Sequence, residues 1–153
     1  KGAVVLGMST KNIRDHYAVR ALLEGEAAYL AAQEGTDISG IEAVYKDMKR
    51  SLAEKNYSAY KDYNESFHMA IWKACGNEKL EHLAANLWSG LSMGYLVTEE
   101  EYAKISIIEH DELMQALRAH DGKRARALMV AHMKRSMEDV LTNYRSFVTR
   151  GEK

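Results

Sequence analysis

Apolar residues recur every three to four positions along most of the chain, the spacing that places them on one face of an α-helix. This pattern predicts six helices, which occupy about residues 12–34, 39–54 and 58–74 in the first half. The other three begin after residues 77, 98 and 121, and the last two of them end near residues 120 and 147. The inward stripe of the first helix is predicted at Val19, Leu23, Ala27 and Leu30, and that of the fourth at Leu80, Leu83, Leu87 and Leu91.

Capping signals support these boundaries. Gly35 is the expected stop of the first helix, because glycine readily adopts the left-handed conformation that ends helices. Ser39 with Glu42 and Thr98 with Glu101 have the spacing of capping boxes that open the second and fifth helices. The fourth and sixth helices follow single N-cap residues, Asn77 and Asp121. Six helices with short connections predict an all-α fold, an antiparallel bundle of six to seven helices.

Composition excludes several classes of function. The chain has no proline, which suits long helices. Its 21 Lys and Arg against 22 Asp and Glu lack the basic excess of a DNA-binding surface. The sequence has no apolar run long enough to span a membrane, so we expect no membrane partner. The lone Cys75 cannot form an internal disulfide, which fits the reducing cytoplasm, where we expect the protein to act.

Three histidines interrupt the apolar stripes on three separate helices. They are His68 in the third helix, His110 in the fifth and His132 in the sixth, and Asn64 lies one turn before His68 on the same face. A buried polar group without a partner costs about 1–3 kcal/mol. One shared metal ion would provide that partner for all four, with histidine nitrogens about 2.0–2.2 Å from it. The other interpretation, hydrogen-bonded core histidines without a metal, stays open.

Several short segments, in this order and spacing, resemble the effector-binding C-terminal domain of GntR-type transcription regulators of the FadR class. The resemblance covers roughly residues 13–147 and includes the 22-residue step from His110 to His132. The segments that carry it are Arg20-Ala-Leu-Leu-Glu24, Ala31-Ala32, Asn64-Glu-Ser-Phe-His68, Ala74-Cys-Gly-Asn77, Glu109-His110, Ala116-Leu117, Asp121-Gly122 and His132.

The resemblance implies a site for a divalent metal, zinc or nickel, and a small carboxylate effector. The metal ligands that it implies here are Asn64, His68, His110 and His132, where the family usually has an aspartate at the first position. A neutral amide is a weaker ligand than a carboxylate, but it leaves one more positive charge to attract an anionic effector. The resemblance places Arg20 and Asn64 at the effector, and the alternative for Arg20 is a surface ion pair with Glu24.

The same resemblance implies how the domain is built into a regulator. Residues 1–11 are expected to be the remnant of a linker, and residues 12–149 the helical domain that binds the effector and dimerises. The chain begins at Lys1 rather than Met, so we interpret it as a fragment that lacks an N-terminal winged helix-turn-helix. The expected partners are a small organic acid, a second copy in a homodimer, and operator DNA, contacted by the missing domain.

Rival functions depend on features that the sequence lacks. A ferritin-like di-iron enzyme needs two Glu-x-x-His motifs, and only the segment from Glu65 to His68 has that form. A mononuclear metal hydrolase is possible because three histidines leave an open coordination position, but no His-Glu-x-x-His motif is present to activate water. A helical interaction module without metal remains the main alternative. We therefore expect a sensor and not an enzyme.

Overall fold

The six segments predicted from the sequence fold as α-helices in the computed structural model. It describes residues 9–90 and 98–151. These residues include no strand, so the predicted all-α class is confirmed. None of the helices within these ranges is both long and apolar enough to cross a membrane. The helices are α1 Thr10–Ala31, α2 Ser39–Ala53, α3 Tyr57–Ala74, α4 Glu78–Gly90, α5 Glu99–Arg118 and α6 Gly122–Gly151.

Helix α3 lies at the centre of the bundle, where it packs against α1, α2, α4 and α5, while α1 packs mainly along α6. The inward face of α3 is almost fully buried, as its apolar spacing predicts. Burying each large side chain of this kind contributes roughly 1.5–3 kcal/mol, so this face anchors the core. Its buried apolar members are Tyr60, Phe67, Ile71 and Trp72.

Side-chain caps explain where the fourth, fifth and sixth helices begin. The Thr98 hydroxyl accepts a hydrogen bond from the Glu101 amide at 3.2 Å and donates one to the Glu101 carboxylate at 2.8 Å. Asn77 accepts from the Leu80 amide at 3.1 Å, and Asp121 accepts from the Arg124 amide at 3.0 Å. These three predicted caps are confirmed.

The predicted capping box at Ser39 and Glu42 is wrong. Ser39 is already the first residue of α2, and its amide donates to the Asp37 carboxylate at 2.9 Å. Glu42 instead accepts two hydrogen bonds from Arg118 of α5. Asp37 thus binds the Ser39 amide and Arg118 binds the Glu42 carboxylate, so Ser39 and Glu42 do not cap each other.

Two residues predicted to face inward are exposed. Val19 of α1 is 46% exposed and Leu83 of α4 is 54% exposed, while Leu91 lies outside the described residues. The buried face of α1 includes Arg20 and Glu24, so a stripe defined by apolar residues alone is rotated away from the true interior. In α4 the small Ala84 takes the buried position next to Leu83.

The ends of α1 also differ from the prediction. It begins at Thr10, so the last two residues of the expected linker 1–11 are helical, while residues 1–8 lie outside the described ranges. It ends at Ala31, and the predicted stop, Gly35, lies in the following turn with a φ of 85°.

Replacing Thr98 with alanine should lower the free energy of unfolding by about 1 kcal/mol, because the first turn of α5 would lose its N-cap acceptor. Urea unfolding monitored by circular dichroism measures the change. Thr142→Ala is the matched control, since Thr142 is exposed within α6 and should change stability by less than about 0.5 kcal/mol. Equal unfolding midpoints for Thr98→Ala and the parent would contradict the capping role.

Candidate metal centre

Three histidines from three helices meet inside the bundle. His68 of α3, His110 of α5 and His132 of α6 are all buried, and one ring nitrogen from each lies within 4.8 Å of those of the other two. The centroids of the rings are 4.9–5.5 Å apart. Each histidine occupies an inward position in the helical repeat of its own segment, and the packing of α3, α5 and α6 then brings the rings together. The structure therefore unites the three histidines that the sequence singled out.

Several polar atoms of this cluster have no hydrogen-bond partner among the described residues. They are the Nε2 atom of His68, both ring nitrogens of His110, and the Oδ1 atom of Asn64. Leaving so many buried polar groups unsatisfied would cost several kcal/mol, at about 1–3 kcal/mol each. Imidazole nitrogens with an amide oxygen are a suitable ligand set for a divalent transition metal. The side chains that are present thus fit such an ion.

Asn64 is buried on α3, one turn before His68. Its amide Nδ2 donates a hydrogen bond to the hydroxyl of Tyr102 on α5 at 3.1 Å, which leaves Oδ1 as the unpaired atom within the described part of the chain. The neighbouring Glu65 and Asp62 are both exposed, so neither can take the place of the usual carboxylate.

Two glutamates that our sequence analysis did not assign to the site hold the histidines from outside. Glu24 of α1 is 0% exposed, and its Oε2 atom lies 3.1 Å from Nδ1 of His68. Glu109 of α5 pairs with Nδ1 of His132. Both glutamates belong to segments that carry the family resemblance, and Glu24 also lies four residues after Arg20, but neither has a distinctive spacing relative to its histidine.

Arg20 is buried beside the cluster rather than exposed. Its Nη2 atom donates to Oε1 of Glu24 at 2.9 Å, and its side chain is only 4% exposed. The ion pair of Arg20 with Glu24, which is the alternative given by the sequence, is therefore present, but it is buried and not on the surface. The guanidinium group also lies over the rings of Trp88 and Tyr17, 4.7 and 5.2 Å from their centroids. Its Nε atom has no hydrogen-bond partner in the described part of the chain.

Aromatic side chains surround the histidines. Phe67 lies 4.6 Å from His110 between ring centroids, and Trp72 lies 6.5 Å from His68. Trp88 of α4, which our sequence analysis overlooked, lies 5.0 Å from His68. The spacing of Leu80, Ala84 and Trp88 at four-residue intervals could have identified its inward position. Phe67 and Trp72 are buried on α3, while Tyr63 of the same helix is only partly buried.

The protonation states favour metal binding. Burial lowers the pKa of His110 well below its usual value and also lowers the pKa of His132. Both imidazoles are therefore neutral at pH 7, which is the form that binds metals. Burial raises the pKa of Glu24, but His68 and Arg20 outweigh that effect and lower it to about 2. Hydrogen bonds from His132 and Arg135 likewise overcome the burial of Glu109 and lower its pKa to about 2.

Neither glutamate beside the cluster has the properties of a free general base. A general base works best with a pKa near the working pH. Glu24 and Glu109 are instead strongly acidic, and each is already bound by an arginine, Glu24 by Arg20 and Glu109 by Arg135. The Glu65 of the single Glu-x-x-His motif is exposed, so the di-iron arrangement also lacks support.

Comparisons with known proteins show the family of this chain. The model of the FCD domain matches residues 15–135. The HTH-type transcriptional regulator LutR of Bacillus subtilis (strain 168) is 32% identical over 155 residues, an alignment that covers 93% of this chain and 68% of LutR. The match spans α3, α5 and the half of α6 that provides His132, and so contains all three histidines of the cluster. The chain therefore belongs to the FCD domain family, the C-terminal effector-binding domains of GntR-family regulators.

Proposed function

We propose that this ligand-sensing domain binds a small organic carboxylate beside a divalent metal ion held by His68, His110, His132 and Asn64. The observation that carries the proposal is the convergence of three buried histidines whose nitrogens lie within 4.8 Å of one another. Zinc and nickel are the expected ions, because imidazole-rich sites suit both. Hydrogen-bonded core histidines explain the cluster less well, since both nitrogens of His110 have no partner among the described residues.

The electrostatics of the site favour an anionic effector. When bound, the metal would supply a concentrated positive charge that attracts oxygen anions. The four proposed ligands are neutral, so they would cancel none of that charge. The two carboxylates that contact the histidines, those of Glu24 and Glu109, are already paired with Arg20 and Arg135. A carboxylate effector is the natural group to neutralise the remaining charge in a low-dielectric interior.

Arg20 supplies a second reason to expect a carboxylate. It is buried near the cluster, and it keeps an Nε–H group that no described residue accepts. Arginine binds carboxylates through charge-assisted hydrogen bonds, and it keeps its charge when buried. We infer that Arg20 and Asn64 contact the effector, with Phe67 and Trp72 contributing apolar surface.

In the whole protein we infer that this domain controls a DNA-binding transcription regulator. The name of the relative LutR includes a helix-turn-helix, which supports an N-terminal winged helix-turn-helix that binds operator DNA outside the present chain. A two-fold homodimer is the expected assembly, because such regulators read paired half-sites. The domain itself is not expected to catalyse a reaction or to contact a membrane, and the regulator should act in the cytoplasm.

A thermal-shift screen of the zinc-loaded, untagged protein should identify one or more small carboxylates that raise the melting temperature. Neutral sugars and amines should not do so, because they cannot neutralise the site. Arg20→Lys keeps the charge but loses the planar donor geometry, and it should weaken carboxylate binding at least tenfold, about 1.4 kcal/mol. Arg118→Lys is the matched control, since Arg118 also pairs with a glutamate, Glu42, but does so on the surface through two hydrogen bonds.

Two results would contradict the effector proposal. One is stabilisation by neutral or cationic compounds alone. The other is an Arg20→Lys variant that responds to carboxylates as the parent does.

A further inference from the structure

We propose that Glu24 and Glu109 are positioning residues for the metal centre, each orienting one ligand histidine through its Nδ1 atom. This inference rests on the proposed metal site and identifies residues beyond its ligands. Oε2 of Glu24 lies 3.1 Å from Nδ1 of His68, and Oε2 of Glu109 contacts Nδ1 of His132. Neither glutamate is itself a ligand in the proposed site.

The hydrogen-bonding roles determine which nitrogen faces the metal. An ionised carboxylate only accepts hydrogen bonds, so Nδ1 of His68 and of His132 must carry the proton. In a neutral imidazole the lone pair then lies on Nε2, which is the atom free to bind a metal. Nε2 of His68 is buried with no partner in the described part of the chain. Metal-binding histidines are commonly oriented in this way by a carboxylate.

Each carboxylate is in turn held by an arginine. Arg20 donates to Oε1 of Glu24 at 2.9 Å, which leaves Oε2 for His68. Arg135 donates to Glu109 twice, from Nε at 2.6 Å and from Nη2 at 2.8 Å. The Glu24 carboxylate cannot rotate without losing one of its two partners. The result is two arginine–glutamate–histidine chains that enter the cluster from different helices.

Helix α1 thereby joins the site without providing a ligand. Glu24 of this helix contacts His68 through a hydrogen bond, and Arg20 reaches the cluster through Glu24. A purely structural role for Glu24, the neutralisation of buried Arg20, would predict lower stability with unchanged metal affinity. A positioning role predicts weaker metal binding by the folded protein. Metal affinity therefore separates the two roles.

The experiment compares Glu24→Gln and Glu109→Gln with the parent 153-residue chain. Zn²⁺ affinity is measured by competition with a chromophoric chelator, and ligand geometry by the visible absorption spectrum of the Co²⁺-loaded protein. Each variant should bind Zn²⁺ about 10–100-fold more weakly and should show altered Co²⁺ bands. Glu26→Gln is the matched control, because Glu26 also lies on α1 and pairs with an arginine, Arg126, on α6. It should match the parent in both measurements.

The outcomes separate this inference from the proposed function. If the parent binds zinc and cobalt and both variants keep its affinity and spectrum, the positioning role is wrong and the metal site stands. If the parent binds neither ion, the proposed metal site and the positioning role are both wrong. If Glu24→Gln does not fold, Glu109→Gln decides by the same two measurements, since the Glu109 side chain is 26% exposed and its replacement is less disruptive. An equal loss of affinity in Glu26→Gln would show that the loss comes from removing any negative charge from the domain, and it would overturn the inference.

Discussion

Zinc is expected to raise the free energy of unfolding by about 4 kcal/mol when its free concentration is about 1,000-fold above its dissociation constant. The reason is that α3, α5 and α6 bring the three histidines together only in the folded state, so the ion binds the folded chain far more tightly than the unfolded one. His110→Ala should remove most of this increment by deleting a ligand. Urea unfolding with and without zinc measures this increment for each protein. Because each variant is compared with itself, the stability lost through the alanine substitution does not enter the increment.

His82→Ala provides the control for this experiment. His82 is an exposed histidine of α4 that belongs to no cluster among the described residues, so the zinc-dependent increment should equal that of the parent. A zinc increment that survives His110→Ala would place the ion elsewhere on the chain. No increment in the parent would leave the cluster as a set of core histidines.

Arg20→Ala should lower the free energy of unfolding by about 3–5 kcal/mol in the metal-free protein, because it removes one partner from a buried ion pair. The partner, Glu24, is 0% exposed and would keep its hydrogen bond with His68 but lose its ion pair. An exposed pair would contribute at most about 1 kcal/mol, so the size of the loss distinguishes a buried pair from a surface pair. Urea unfolding in the presence of a chelator measures the difference.

Arg14→Ala is the matched control on the same helix. Arg14 is exposed, and its replacement should change stability by less than about 0.5 kcal/mol. A loss of under 1 kcal/mol for Arg20→Ala would show that the ion pair with Arg20 is not needed to keep the Glu24 carboxylate buried. The effector experiment uses Arg20→Lys because alanine at this position is expected to destabilise the domain as well as to remove a donor.

The helices and their inward histidines could be predicted from the sequence because both depend on local rules. A cap such as Thr98 or Asp121 acts within a single turn, so a few neighbouring residues reveal it. The repeat of 3.6 residues similarly places His68, His110 and His132 on the buried faces of their own helices. Their convergence was expected from the family resemblance, and the structure shows it directly.

The network around the histidines was decided only by the tertiary structure. Glu24 and His68 are 44 positions apart, and Glu109 and His132 are 23 apart, so neither contact follows from local spacing. A helical repeat shows which face a residue occupies but not which helix covers that face. Charged residues are also expected outside, so Arg20 and Glu24 look like an exposed pair until α1 is packed against α3 and α4. Burial then turns that pair into part of the site, because a buried charge must find its partner within the protein.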